Sequence, residues 1–220
     1  GANHAGEIDL LSRMAQPDVA VLNNVGRAHL AGFGSLEGVA EAKGEIVNGL
    51  AEDGVFIFHG DTPWSALWRS LAGKRRCVSF GRDDGNDISI IVGSERMQWS
   101  SEGFRNLFSV KTASGIAEIA LQLAGAHNRM NALAAIAAAQ SVGCDFKQIQ
   151  HGLSKLTPVR GRLKIIRTAG IYLVDDSYNA NPDSVEAAID VLRSAPGARH
   201  LVLGELAEMG VAAKQLHYQL

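Results

Sequence analysis

Two clusters of polar side chains stand out in this sequence because each directly follows a short apolar run. In the first, residues 18–22 lead into Asn23 and Asn24, a glycine-containing loop brings His29, and Lys43 follows in the next helical pattern. Ligands of parallel α/β sheets bind where the strands end at their carboxyl edge. Amide, imidazole and ammonium groups at such an edge indicate a metal and phosphate site. An ammonium repels a metal ion, so a catalytic Lys43 must either face phosphate or be chemically modified.

The second cluster follows the apolar run 171–174, which ends abruptly in two aspartates, a serine, a tyrosine and two asparagines. A helical pattern comes next, for which Asp183 or Ser184 is the predicted N-cap. Acidic and amide groups beside the positive end of a helix suit a nucleotide phosphate and its metal. Just upstream, Arg162 offers a planar fork for phosphate oxygens, and Asp176 is a candidate for a ribose hydroxyl or a metal-bound water.

A third motif, residues 125–131, predicts the start of a helix. Gly125 permits a close backbone approach, and the first N–H groups of the helix point outward. Asn128 and Asn131 lie three residues apart, so both amides face one side and are placed to read a base edge together, with His127 beside them.

Each of these groups also has an ordinary structural explanation. His29 would cap a loop carbonyl, and Lys43 would be a solvated helix lysine. Asn128 would serve only as a cap, and Arg162 with Asp176 would form a surface ion pair. The residue types and spacing alone leave these alternatives open.

The elements that would position these groups indicate an α/β fold, namely a mostly parallel sheet with helices and a β flank, followed by the start of a Rossmann-like domain. Apolar runs predict strands at 18–24, 55–58 and 201–203, and helical spacing predicts helices at 35–52, 128–142 and 146–156. Period-two alternation from Cys77 to Leu123 indicates an antiparallel flank or insertion. The turn-rich segment 157–161 predicts a boundary between a domain at 1–158 and another at 159–220.

Composition excludes several classes of function. The 220 residues are 46% hydrophobic and 20% charged, with a net charge of −2, which is ordinary for a globular protein and gives no reason to expect nucleic acid or an anionic membrane as partner. Cys77 and Cys144 have no zinc spacing and are predicted to be free thiols in a reducing cytoplasm. No apolar run approaches the roughly 18 residues of a membrane span.

The chain opens without Met and stops inside a helical pattern, so we expect an internal piece of a longer protein.

Taken together, the motifs resemble those of the Mur ligase family, and in particular its members that add D-alanyl-D-alanine. The resemblance follows the family's order through most of the chain, at residues 1–8, 23–46, 125–135, 159–163, 175–182 and 203–210. It implies a cytoplasmic, monomeric bacterial enzyme of peptidoglycan synthesis that uses ATP and Mg²⁺. The expected substrates are UDP-N-acetylmuramoyl-tripeptide and D-Ala-D-Ala. ATP would phosphorylate the tripeptide carboxylate to an acyl phosphate, which the dipeptide amine would attack.

The resemblance also implies roles for individual residues. His29 and a carbamylated Lys43 would hold Mg²⁺, since a carbamate is an anionic oxygen donor, and both residues would be catalytic. The nucleotide contacts would be Asn24, His127, Asn128 and Asn131, joined by Arg162 and Asp176 on domain closure. Tyr178, Asn179 and Asn181 would face the D-Ala-D-Ala side.

Residues 1–220 depart from the family pattern in several respects, and the most important is that they contain no Gly-x-Gly-Lys-Thr phosphate loop. The family's uridine-nucleotide domain and a metal-binding glutamate expected just upstream of residue 1 are also missing. We therefore expect this piece alone not to turn over. Two alternatives remain: another member of the superfamily, such as a folylpolyglutamate synthase or an upstream muramyl ligase, and a non-catalytic nucleotide-binding module.

Overall fold

The computed structural model describes residues 2–26, 30–100, 103–168, 170–206 and 218. Its helices are α1 (Glu7–Ala15), α2 (Leu30–Phe33), α3 (Leu36–Gly44), α4 (Ser65–Ala72), α5 (Ala126–Ser141), α6 (Phe146–Ser154) and α7 (Pro182–Arg193), with a 3₁₀ helix at Glu45–Gly49. Its strands are β1 (Val19–Leu22), β2 (Val55–His59), β3 (Arg76–Gly81), β4 (Ile88–Ile90), β5 (Arg96–Ser100), β6 (Gly103–Thr112), β7 (Gly115–Leu121), β8 (Lys164–Thr168) and β9 (Ile171–Asp175). Within these ranges, no helix is both long and apolar enough to cross a bilayer.

Strands β1 to β7 form one sheet with a parallel half and an antiparallel half. β1, β2, β3 and β4 pair in parallel in chain order, and β6 then pairs antiparallel with β4, β5 and β7. The expected α/β fold with a β flank is therefore confirmed. The flank begins later than predicted, however, because β3 and β4 belong to the parallel half. The three residues of β4 are all buried, which is typical of a parallel strand covered on both faces.

The sheet is covered on both faces, and β2 contributes to both cores. Successive side chains of a strand point to opposite faces. Ile57 thus packs in a cluster with Leu133 and Ile136 of α5, whereas Phe56 and Phe58 pack in a second cluster with α3 and α4. All five residues of β2 except His59 are buried, which explains its continuous apolar sequence.

Helix α1 is attached to α3 through Glu45. The Glu45 carboxylate accepts hydrogen bonds from the backbone N–H of Gly6 at 2.8 Å and of Asp9 at 3.1 Å, at the N-terminus of α1. An anion is favourable there because the first N–H groups of a helix lack intrahelical partners. The helix predicted at 35–52 is correctly capped by Ser35 but changes to a 3₁₀ helix at Glu45.

The tail, residues 161–206, consists of the antiparallel pair β8–β9, helix α7 and an extended end. The predicted strand at 201–203 is wrong: these residues form no strand, and Val202 is 97% exposed. Strand formation requires a neighbour for hydrogen bonding, and among the described residues β9 pairs only with β8. The predicted N-cap of α7 is also wrong, because Asn181 occupies that position and Ser184 completes a capping box with it.

The tail packs against the antiparallel flank through a small third cluster. Leu163 and Val191 of the tail are buried with Phe104 and Ala124. The Nε1–H of Trp99 donates to the Ser194 hydroxyl at 3.1 Å. These contacts place the polar loop 175–181 opposite the carboxyl end of β1.

Candidate functional site

A cleft of about 740 Å³ lies between the carboxyl end of β1, the N-terminus of α5 and the tail. Its wall brings together predicted site residues that are far apart in the chain, namely Asn24, Lys43, His127, Asn128, Asn131, Arg162, Asp176, Tyr178, Asn179 and Asn181. His29 lies outside the described residues. The structure thus places these groups around one space, while the role of each stays a prediction.

Lys43 lies near the end of α3 and reaches the loop after β1. Its Nζ donates a hydrogen bond to the carbonyl oxygen of Asn24 at 2.8 Å. Partial burial lowers the pKa of the Lys43 amine, because removing it from water disfavours the charged form. A larger neutral fraction makes the amine a better nucleophile toward carbon dioxide, which supports the predicted carbamylation.

The donors described around this cleft do not fit Mg²⁺ while Lys43 is an amine. Among the described ranges, no group of three His, Cys, Asp or Glu side chains could hold a metal ion. Mg²⁺ prefers oxygen ligands, and an ammonium would repel it. A carbamate on Lys43 would reverse this disagreement, since it supplies anionic oxygens on the cleft wall.

The amides on the α5 side form a continuous hydrogen-bonded chain. Asn23 Nδ2 donates to Asn131 Oδ1 at 2.6 Å, and Asn131 Nδ2 donates to Asn128 Oδ1 at 3.3 Å. Asn128 Nδ2 in turn donates to the carbonyl oxygen of Ala124 at 2.7 Å and faces His127 Nε2 at 3.1 Å. The predicted pair Asn128 and Asn131 therefore shares one side of α5 and is joined to the end of β1.

The surroundings of His127 favour its neutral form. Burial is the main cause that lowers its pKa, and the charge of Arg129 lowers it further, whereas the negative charge of Asp176 acts to raise it. Because Asn128 donates toward Nε2, the ring proton sits on Nδ1, which is buried and has no partner among the described residues.

The turn before β8 is fixed by the loop that follows β9. Gly161 has φ of +75°, and a side chain there would lie 3.0 Å from the Tyr178 backbone nitrogen, so the position requires glycine. The Leu163 N–H donates to Asp176 Oδ1 at 3.0 Å. The Arg162 guanidinium lies 4.3 Å from the centre of the Tyr178 ring, in a cation–π contact. Arg162 and Asp176 thus contact other groups, and they do not form the surface ion pair that the sequence left open as an alternative.

Several cleft residues were missed by reasoning from the sequence. The loop after β1 and the start of α7 lie close together, since a side chain at Gly26 would be 3.5 Å from Asp183 Oδ2. Apolar residues complete the wall, namely Ala2, Ile8, Phe33 and Val39. The polar motif at 1–8 was recognisable in sequence, but the start of helix α1 within it was not.

Ligands of α/β sheets bind in clefts at the carboxyl edge of the strands, and comparison with known families shows the class of protein to which this chain belongs. The family described as "Mur ligase middle domain" matches residues 1–139, and "Mur ligase, glutamate ligase domain" matches residues 161–220. The chain belongs to the Mur ligase family, as the sequence motifs predicted.

Individual relatives narrow the comparison. The UDP-N-acetylmuramoyl-tripeptide–D-alanyl-D-alanine ligase of Escherichia coli K12 is 41% identical over 221 aligned residues, covering 100% of this chain and 48% of the relative. A crystal structure of MurF from Acinetobacter baumannii has a TM-score of 0.90 at 36% identity, with 100% and 47% coverage. MurF from Thermotoga maritima in complex with ADP has a TM-score of 0.84 at 27% identity, with 99% and 49% coverage. The chain therefore spans about half the length of these relatives.

Proposed function

We propose that the protein to which this chain belongs is an ATP-dependent ligase that joins D-Ala-D-Ala to UDP-N-acetylmuramoyl-tripeptide. The name of the E. coli relative supports the reaction, and the ADP complex of the T. maritima structure supports the nucleotide. The observation that carries the proposal is the single cleft shared by α3, the start of α5 and the tail. A ligase needs such a space because the nucleotide, the acid and the amine must meet.

The proposed reaction has two steps. A carboxylate is a poor electrophile, so its oxygen first attacks the γ-phosphorus of ATP, giving an acyl phosphate and ADP. The amine of D-Ala-D-Ala then attacks the acyl carbon, and the tetrahedral intermediate expels phosphate and loses a proton to give the amide. Cationic and hydrogen-bonding groups accelerate both steps by stabilising negative charge on the transferred phosphoryl group and the tetrahedral oxygen.

The residue roles that we propose divide along the cleft. Asn24, His127, Asn128 and Asn131 would contact the adenosine side, and Arg162 and Asp176 would contact the nucleotide from the tail. Tyr178, Asn179 and Asn181 would face D-Ala-D-Ala. Asn179 Oδ1 and Asn181 Oδ1 already accept backbone N–H groups of Ala180 and Ser184, so their NH₂ groups are the ones to offer a substrate. His29 and a carbamylated Lys43 would hold Mg²⁺, which would supply charge neutralisation at the phosphates.

Phosphate release by the complete protein tests the reaction. Release should require ATP, the UDP-muramoyl-tripeptide and D-Ala-D-Ala together. Single amino acids offered in place of D-Ala-D-Ala should give no product, whereas another superfamily ligase would accept one of them. A non-catalytic module would bind nucleotide and release no phosphate with any acceptor.

Lys43 provides the sharpest variant for this assay. Lys43→Ala should lower turnover by at least about a hundredfold, because it removes a charge-stabilising group from the reacting centre. Lys155→Ala is the matched control, since Lys155 is exposed and lies outside the cleft. Intact-protein mass measured under carbon dioxide tests the carbamate separately, and an unmodified amine under these conditions would contradict the metal role of Lys43.

We also propose that a domain boundary lies between residues 158 and 159. A second proposal is that residues 1–220 alone do not catalyse the reaction. Robust phosphate release by that piece would contradict the second point. A cytoplasmic location and a monomeric state of the complete protein are further predictions, which fractionation and light scattering test.

A further inference from the structure

Asn106 is a polar side chain in a fully buried position behind the cleft. It lies on β6 between Met97 of β5 and Leu121 of β7, and its exposed fraction is 0%. Burying an amide is unfavourable unless its donors and its acceptor find hydrogen-bond partners. Asn106 is not among the described residues of the cleft wall, so direct contact with a substrate does not explain a polar group at this position.

The amide of Asn106 is fully used, and its side-chain partners all lie at the start of α5. Its NH₂ group donates to the carbonyl oxygens of Leu123 at 3.2 Å and Gly125 at 3.0 Å. Its Oδ1 accepts a hydrogen bond from Arg129 Nη1 at 2.8 Å. The orientation of the amide follows, because carbonyls only accept and a guanidinium only donates. One side chain therefore holds both the residues just before α5 and the first turn of the helix.

Helix α5 needs this support because its own N-cap residue provides none. Gly125 occupies that position and has no side chain to accept a hydrogen bond from the first N–H groups of the helix. A capping side chain there would be strained, since φ is +89° and its Cβ would lie 2.6 Å from the His127 ring. The position of the helix start is therefore set from behind, through Asn106.

The loop that Asn106 holds, residues 123–125, also contacts the tail. Ala124 lies between the two bonded carbonyls, is 0% exposed and packs with Val191 of α7. A Cβ at Gly125 would lie 3.1 Å from Val191 Cγ2, so the backbone of the loop is close to the tail as well. The α5 wall and the tail wall of the cleft thus meet at this loop.

We propose that Asn106 is a positioning residue that fixes loop 123–125 and thereby aligns the two walls of the cleft; this rests on the proposed nucleotide role of the cleft. Without the two Asn106 donors, the Leu123 and Gly125 carbonyls would be buried and unpaired, and the loop would move to find new partners. Such a movement displaces His127 and Asn128 on one wall and the support of the tail on the other. A shift of about 1 Å that originates far from the reacting atoms can cost about a hundredfold in rate.

The dissociation constant of ADP from the complete protein tests the proposal. Asn106→Leu keeps a similar volume but removes both donors and the acceptor, so it should weaken ADP binding by about tenfold. Asn106→Ser keeps one O–H donor in place of two N–H donors and should weaken ADP binding by about threefold. Amide hydrogen exchange in α7 should accelerate in both variants, because the tail rests on the same loop.

Thr112→Val is the matched control, because Thr112 lies on the same strand and contacts the opposite end of α5. Its side chain is 8% exposed, and its Oγ1 accepts a hydrogen bond from Gln140 Nε2 at 3.4 Å. This variant also loses a buried polar group and should lower the free energy of unfolding, yet it should leave ADP binding within about twofold of the wild type. Denaturant unfolding of every variant gives the folded fraction under the binding conditions.

The ADP constant separates positioning from a general contribution to stability, which would change unfolding and leave binding by the folded molecules unaltered. ADP binding at the wild-type level in folded Asn106 variants, or equal weakening by Thr112→Val, would overturn the inference and leave the proposed function intact. Loss of the folded state in both Asn106 variants would also overturn the inference, because Asn106 would then support the whole core. A wild type that binds no ADP would overturn the proposed function and the inference together.

Discussion

The sheet region and the tail of this chain are stabilised in different ways. In the sheet region, Phe56, Ile57 and Phe58 are 0% exposed and belong to cores on both faces of β2. In the tail, Ile171 of β9 is 61% exposed and Leu173 is 51% exposed. In the described ranges, β8 and β9 pair only with each other. A two-stranded pair is marginal by itself in water.

The difference shows that the tail depends on its contact with the flank. Leu163 and Val191 are 5% and 2% exposed because they pack against residues of the sheet region. The cleft consequently has one wall on a well-packed support, which carries Asn128 and Asn131, and a second wall, with Arg162 and Asp176, whose position rests on a small interface.

The largest effect is expected in the sheet core at Trp68. Its side chain is 0% exposed, and its Nε1–H donates to the Ala40 carbonyl at 3.0 Å. Trp68→Ala should lower the free energy of unfolding by about 3–5 kcal/mol, since a large cavity forms and a buried carbonyl loses its donor. Denaturant unfolding of the complete protein measures this. Trp68→Phe keeps most of the volume and should cost clearly less, and equal losses in both variants would contradict the packing argument.

A smaller and local effect is expected at Val191 in the tail. Val191→Ala removes two buried methyl groups and should weaken the interface by about 1.5 kcal/mol. Amide hydrogen exchange should accelerate in α7 but not in β2, because the tail can open while the sheet core stays folded. Val202→Ala is the control, at a position 97% exposed in the same tail. Faster exchange in β2 as well would show that the two regions unfold as one unit.

The sequence predicted the sheet region better than the tail for a physical reason. Strand β2 is continuously apolar, and helix α5 carries apolar residues at helical spacing that pack against neighbouring elements. Such patterns are local signals in the sequence. The run 201–203 carries an equally apolar pattern, but whether it forms a strand depends on a neighbouring strand, and sequence alone does not supply that partner.

The candidate site shows the same limit. Asn128 and Asp176 were recognisable because polar groups followed a helix start or a strand end, and Lys43 because it lies in the helical pattern after such a strand end. The hydrogen bond between Asn23 and Asn131 joins residues 108 positions apart, so no spacing rule could reveal it. The mistaken cap at Asp183 or Ser184 arose because Asn181 with Pro182 at the first helical position was an equally good signal.

The smallest effect is electrostatic and reports directly on whether the two walls meet. Burial holds the pKa of His127 below its usual value, while the charge of Asp176, across the cleft, raises it in part. Asp176→Asn should therefore lower the pKa of His127 further, as measured by NMR titration of the ring in the complete protein. The asparagine still offers an oxygen to the Leu163 N–H, so the turn before β8 is kept.

The effect of the Asp176 charge on His127 can also be measured through the pH dependence of stability. A histidine whose folded pKa lies below its unfolded value binds fewer protons in the folded state, so stability rises with pH and is lost as the pH falls below about 6.5. Asp176→Asn should steepen that acid loss. Asp190→Asn removes the same charge from an exposed position on α7 and should change neither quantity. If the pKa of His127 were unaffected by Asp176→Asn, the tail wall would not lie against α5 in solution, and the two halves of the cleft would have to be treated as separate sites.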